Sequence, residues 1–230
     1  MKTLLRSLAV FCVLSVTARA TLIDIDWNFG GGSGAPASID PTITGGVIAG
    51  INQYVGNTPL FNSVNPSFGY SGASGVHNAS IAVVGGALDM ANSTYFEFTI
   101  APTSGLALEA TTFQVGSRSS LTGPTTLSLF ASTDGFTTST LLGTTAVAND
   151  STWALASIAS FSYTAAVDTP ITFRLYGTDG TGGTSISNWR IDDAELGVVA
   201  VPEPPTYAAM LVGVVLMGAR ALRRRKSAVA

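Results

Sequence analysis

From residue 21 to residue 200 the chain alternates apolar-rich runs of five to eight residues with clusters of Gly, Asn, Asp, Ser and Pro. No run keeps a helical period, and β-branched and aromatic residues fill them, which is the pattern of strands joined by turns. The clearest is Tyr95 to Ile100, where Phe96, Phe98 and Ile100 share one face. Further strands are predicted at Leu22 to Phe29, Ile81 to Val84, Ala110 to Val115, Thr126 to Ser132, Leu141 to Val147, Trp153 to Tyr163, Pro170 to Gly177 and Trp189 to Val199. Thr111, Phe113 and Val115 are expected on one face, as are Leu127, Leu129 and Ala131, and Trp189 and Ile191. With no helices to cover a parallel sheet, these eight or nine strands are expected to pack antiparallel as an all-β two-sheet sandwich of jelly-roll type. Residues 30 to 80 are less regular, and read as a covering loop layer with one added strand at Val47 to Tyr54. Its run Gly30 to Gly34 is no phosphate loop, because Pro36 follows and no helix does.

The two ends break this pattern. Met1 to Arg6 is basic, Leu8 to Leu14 is apolar but too short to span a bilayer, and Ala18 and Ala20 are small residues three and one before a cut. These are the parts of a secretory signal peptide over residues 1–20, cleaved after Ala20, with an uncleaved or buried helix as the alternative. At the other end, Pro202, Glu203 and Pro204 precede an apolar stretch and then Arg223, Arg224, Arg225 and Lys226. The uncharged residues Thr206 to Ala219 give about 21 Å of helix, and Pro204 to Leu222 about 28 Å, against a hydrocarbon core of roughly 30 Å. A transmembrane helix over about 205–222 therefore requires Arg220 to reach the headgroups. The arginines behind it stay cytoplasmic under the positive-inside rule. An amphipathic soluble tail is the competing reading, but the apolar residues surround the helix and form no stripe.

This tail, residues 201–230, resembles the PEP-CTERM sorting signal of Gram-negative bacteria: a Pro-Glu-Pro motif, a short transmembrane helix and an Arg-rich end. The resemblance implies recognition at Pro202, Glu203 and Pro204 by an exosortase, a membrane-embedded cysteine protease-like transpeptidase, with Arg223, Arg224 and Arg225 as the stop-transfer cluster. It also implies an inner-membrane anchor followed by delivery to the cell surface or an exopolysaccharide matrix. The Val, Gly, Met and Ala of this helix depart from the family's usual leucines. The phrases Ser132-Thr133-Asp134-Gly135-Phe136, Phe173-Arg174-Leu175-Tyr176-Gly177 and Ile191-Asp192-Asp193 are similar to the jelly-roll ectodomains of such proteins, a resemblance that carries no activity.

Composition adds partition. The 230-residue chain has a net charge of −3, but residues 1 to 20 carry +3, residues 21 to 201 carry −10 and residues 202 to 230 carry +4. An acidic ectodomain argues against a nucleic-acid partner. The lone Cys12 lies within the signal, so no disulfide framework supports residues 21 to 200.

Candidate chemistry is sparse. His77 has no nucleophile motif around it and reads as a loop histidine; Glu97 and Glu109 read as solvent-facing strand positions, with a glycosidase-like pair on adjacent strands as the alternative. Non-enzymatic structure or adhesion is the expectation. Asp192 and Asp193, with Asp24 or Asp26, would meet if the first and last strands pair, which leaves calcium binding open beside the reading of solvated acids. Tyr54, Phe61, Phe68 and Tyr70 have amide neighbours and could stack on sugar rings of an extracellular polysaccharide, or cap the core.

Overall fold

The computed structural model describes residues 21–51, 60–63, 66–182 and 188–202. The two terminal segments expected to direct export and anchoring, together with Tyr54, lie outside the described residues, and Pro202 ends the last strand.

Thirteen strands are present among the described residues: β1 Thr21–Trp27, β2 Ile43–Gly45, β3 Ala49–Ile51, β4 Leu60–Ser63, β5 Asn78–Ile81, β6 Tyr95–Pro102, β7 Leu106–Ser119, β8 Thr126–Ser132, β9 Thr140–Ala146, β10 Trp153–Ile158, β11 Tyr163–Thr164, β12 Ile171–Thr178 and β13 Trp189–Pro202. All pair antiparallel, in two sheets. One runs β10, β7, β13, β5, β4, with β1 also on β13 and β11 also on β7; the other runs β2, β6, β12, β8, β9, with β3 also on β6. Apart from a short 3-10 turn at Gly30–Gly32, no helix occurs among the described residues, and none there is long and apolar enough to cross a membrane.

The core lies between the sheets, and alternation builds it. Phe96, Phe98 and Ile100 of β6, Phe173 and Leu175 of β12 and Leu127 and Leu129 of β8 are all buried against Ile25, Trp27, Phe113, Leu196 and Val198 of the opposite sheet. Phe98 stacks on Phe173 at 5.1 Å between ring centroids and meets Trp27 at 4.9 Å, while Phe96 meets Trp189 edge-on at 4.8 Å. Each such ring contributes area burial worth about 1.5–3 kcal/mol, and the two indole N–H groups are satisfied, Trp27 by Gly46 O and Trp189 by Ser117 Oγ.

Two β-bulges interrupt the central β7–β13 ladder. Gly197 faces Thr112 and Val198 faces Ala110, so Thr111 is an extra residue on β7. This shifts the inward set from Leu108 and Ala110 to Phe113 and Val115. Thr111 therefore does not join the face of Phe113 and Val115 as the spacing predicts; its hydroxyl donates to Gly197 O. On β13, Asp192 faces Gly116 and Glu195 faces Gln114, leaving two residues opposite one. Asp193 takes φ 43° at that point, and burial passes from Trp189 and Ile191 to Ala194, Leu196 and Val198.

The expected Trp153-to-Tyr163 strand is two strands with a break between them; β3 lies within the added strand expected at Val47 to Tyr54, and the region read as loops also supplies β2 and β4. β1 and β5 share one edge of β13 end to end, β5 along Trp189 to Ile191 and β1 along Ala194 to Ala200.

Candidate functional site

The bulge in β13 organises the most site-like part of the surface. A residue inserted into a strand turns its side chain out of the regular pleat, and Asp tolerates the left-handed backbone better than most residues. Asp193 is thereby aimed at the segment 66–77, which crosses the outer face of the sheet. Ser67 Oγ donates to Asp193 Oδ2 at 2.9 Å, Tyr70 Oη to Oδ2 at 2.6 Å, Ser74 N to Oδ2 at 3.0 Å and Ser74 Oγ to Oδ1 at 2.5 Å. One carboxylate thus holds three residues of a strap more than a hundred positions away in sequence. Gly69, Gly72 and Gly75 take positive φ, letting the strap turn in few residues.

Tyr70 lies directly over Gly116 of β7, where a Cβ would overlap its phenol oxygen, and its ring stands 6.4 Å from that of Trp153. Burial and the hydrogen bond to Asp193 raise the Tyr70 pKa strongly, so the phenol stays a proton donor.

Asp192 has the opposite environment. Its side chain is fully buried beneath the strap, Oδ1 accepts from the Asp193 amide at 2.9 Å, and Oδ2 is buried with no hydrogen-bond partner. Burial first, and then the charge of Asp193, push its pKa up to about 7; the Asp193 amide and Ser67 pull the other way without completing a hydrogen bond to Oδ2.

Between the strap and β1 is a cleft of about 300 Å³. Asp26, Asn28 and Ser38 form one side, Tyr70, Ser71 and Ser74 another, and Gln114, Asp193 and Glu195 the floor. Asp26 and Glu195 face each other across the β1–β13 ladder. Burial, then Glu195, then Asp24 raise the Asp26 pKa, while Glu195 Oε2 accepts from Gln114 Nε2 at 2.6 Å.

The structure gathers some of the predicted residues and separates others. The first and last strands do pair, and Asp26 meets Asp193 in the cleft, but Asp24 is exposed opposite Gly197, a row away. Among the described residues no group of three His, Cys, Asp or Glu side chains is placed to hold a metal ion. Asp24, Asp192 and Asp193 therefore do not assemble as a calcium site: Asp192 is covered, and Asp193 already accepts four hydrogen bonds. Of the aromatic candidates, Tyr70 belongs to the strap, Phe68 projects from it into solvent at 66% exposure, and Phe61 falls within β4. Glu97 and Glu109 sit in different sheets, paired with Arg174 and Ser162 respectively, and not on adjacent strands. His77 lies just before β5 with Nδ1 buried and without a partner. Sequence reasoning missed Ser67 and Ser74, and only the Gly-rich spacing around Tyr70 hints at a strap.

No family model matches the chain. No curated protein matches it either. Among solved structures, it is similar to the C-terminal CBM6 of the laminarinase LamC from Zobellia galactanivorans, at 13% identity and TM-score 0.33, over 75% of this chain and 98% of that one. It is similar to the K1 cleaved adhesin domain of Lys-gingipain from Porphyromonas gingivalis W83, at 13% identity and TM-score 0.38, over 75% and 96%. It is also similar to the Stig cyclase Fisc from Fischerella sp. TAU, at 13% identity and TM-score 0.33, over 83% and 92%. These are three kinds of protein, and at TM-scores below 0.5 none carries a function to this chain; the two-sheet architecture rests on its own strand pairings.

Proposed function

We propose that this chain is an exported protein of the cell envelope or extracellular matrix, directed by residues 1–20 and held by the sorting signal at 201–230. Its β domain, a jelly-roll-type sandwich, serves a structural or adhesive role and no catalytic one. What supports this reading is the pairing of Thr21 with Ala200. The segment removed as a signal and the segment inserted as an anchor then join the domain side by side. Asp193 lies nine residues before Pro202 on β13, so about 30 Å of strand separates the cleft from the point where the sorting signal begins. Deleting Pro202 to Ala230 and fractionating cells tests it: the truncated protein is expected in the soluble exported fraction, and unchanged membrane retention overturns the anchoring.

The cleft favours a second reading, a module that binds extracellular polysaccharide. Hydroxyls, two side-chain amides and carboxylates converge on a volume at the small end of ligand sites. Pull-down with purified bacterial exopolysaccharides tests it, with Gln114→Ala as the control expected to weaken capture; equal capture by the variant overturns the cleft as the binding place.

A further inference from the structure

The strap over Asp192 and Asp193 is held by hydrogen bonds to Asp193 and by the Tyr70 ring beside Trp153, at a point where two adjacent carboxylates have opposite fates. Asp193 is satisfied four times over. Asp192 is sealed in, with one carboxyl oxygen lacking any partner. A protonated carboxyl can stay in such a place, whereas a carboxylate demands water or a cation.

Among the described residues no neighbouring element supplies the cation. On its own strand the adjacent charge is Asp193, and Arg190, two residues back, donates to Asn78 Oδ1 at 3.2 Å. Across the ladder on β7 the partner is Gly116, and Arg118 of that strand donates through Nε to Ser151 O at 2.7 Å. From the strap, Ser67 and Tyr70 face it, and residues 66–76 carry no charged side chain; His77 ends the segment just before β5. Asp26 and Glu195 line the cleft beyond the bulge, and both are acidic.

We propose that residues 66–76 form a proton-gated strap, closed on Asp193 while Asp192 holds its proton and released when Asp192 ionises. On ionisation the proton leaves to solvent and a second negative charge appears next to the first. Water must then reach Asp192, and the segment covering it must lift. Tyr70, Ser71, Gly72 and Ser74 are also a wall of the cleft, so release widens it. The inference deepens the polysaccharide-binding reading by making access to the cleft pH-dependent, but the strap's motion stands or falls without any ligand.

Hydrogen exchange of the full chain in detergent micelles tests the gate, at about pH 5.5 and about pH 8.5 and corrected for intrinsic exchange, because these bracket the value near 7. The expected result is an about tenfold or greater loss of protection for strap amides at the higher pH, with β12 amides unchanged. Asp192→Asn is expected to keep strap protection at both values, and Asp193→Asn to lose it at both. Equal strap protection of the wild type at the two pH values overturns the proposal, as does an Asp192→Asn strap that opens like the wild type. Should Asp192→Asn not fold, the wild-type Asp192 Cγ resonance decides: a titration midpoint shared with strap opening supports the gate, and separate midpoints overturn it. Polysaccharide capture that fails while the strap still opens removes the binding reading alone.

Discussion

The side-chain amide of Asn188 pairs with the backbone of Val83 as a second strand would: Oδ1 accepts from Val83 N at 2.7 Å and Nδ2 donates to Val83 O at 3.1 Å. Its own carbonyl accepts from Ser120 N, and its own amide donates to Ile81 O. One buried residue therefore ties together three chain segments at the end of the sandwich where β13 begins. Asn188→Ala leaves the Val83 amide and carbonyl buried without partners, at a cost of about 2–4 kcal/mol. Thermal unfolding should show a drop in Tm of roughly 5–15 °C, and an unchanged Tm would remove the residue from this role.

Gly116→Ala places a methyl where the Tyr70 phenol rests. The backbone there belongs to the central ladder, so the ring must yield. Loss of the Tyr70 to Asp193 bond and its packing on Trp153 should cost about 1–3 kcal/mol in denaturant unfolding. Tyr70→Phe, which keeps the ring, should recover part of that difference.

The raised pKa of Asp192 fixes a sign. Between the unfolded value near 3.8 and the folded value near 7, the native state holds the proton more tightly than the unfolded chain does. Stability is therefore expected to fall as pH rises through that window, opposite to the ordinary salt-bridged carboxylate. Asp134, held down to about 2 by Thr138 and Ser132, acts in the other direction, and its contribution is lost only in strong acid. Chemical denaturation across pH 4 to 8 checks this, and Asp192→Asn should flatten the decline.

Arg174 is held by Glu97 through Nε at 2.6 Å, with its guanidinium 4.4 Å from the Tyr95 ring centre and 3.9 Å from that of Phe136. The pair is partly exposed, so screening limits the ionic share to about 1 kcal/mol or less. The planar stack accounts for the rest. Arg174→Lys should consequently destabilise by about 1–2 kcal/mol despite keeping the charge, while Glu97→Gln costs less. A double-mutant cycle reads the two shares separately.

The sheets were legible in the sequence wherever alternation was unbroken: Phe96, Phe98 and Ile100, or Leu127, Leu129 and Ala131, face inward as their spacing requires. Legibility failed at the bulges. Thr111 follows the period of its neighbours and yet is the extra residue of a bulge, because a bulge is set by the partner strand and leaves no local mark. The same limit hid the cleft. Asp193 reads as one of two adjacent acids, and only the register of β13 against β7 turns it toward Ser67, Tyr70 and Ser74. The alternative of Glu97 and Glu109 as a pair on adjacent strands stayed open in the sequence because the chain changes sheets between β6 and β7, which side-chain spacing cannot encode.

The placing of β13 has a mechanical consequence. It lies between β7 and, toward its exit, β1, with hydrogen bonds perpendicular to its length on both edges. A tether beyond Pro202 pulls along that length, so tension loads the two ladders together in shear and does not unzip them bond by bond. Resistance to force is governed by the rate of unfolding and not by equilibrium stability. A domain pulled by its last strand is thus loaded through the most extensively paired strand among its described residues.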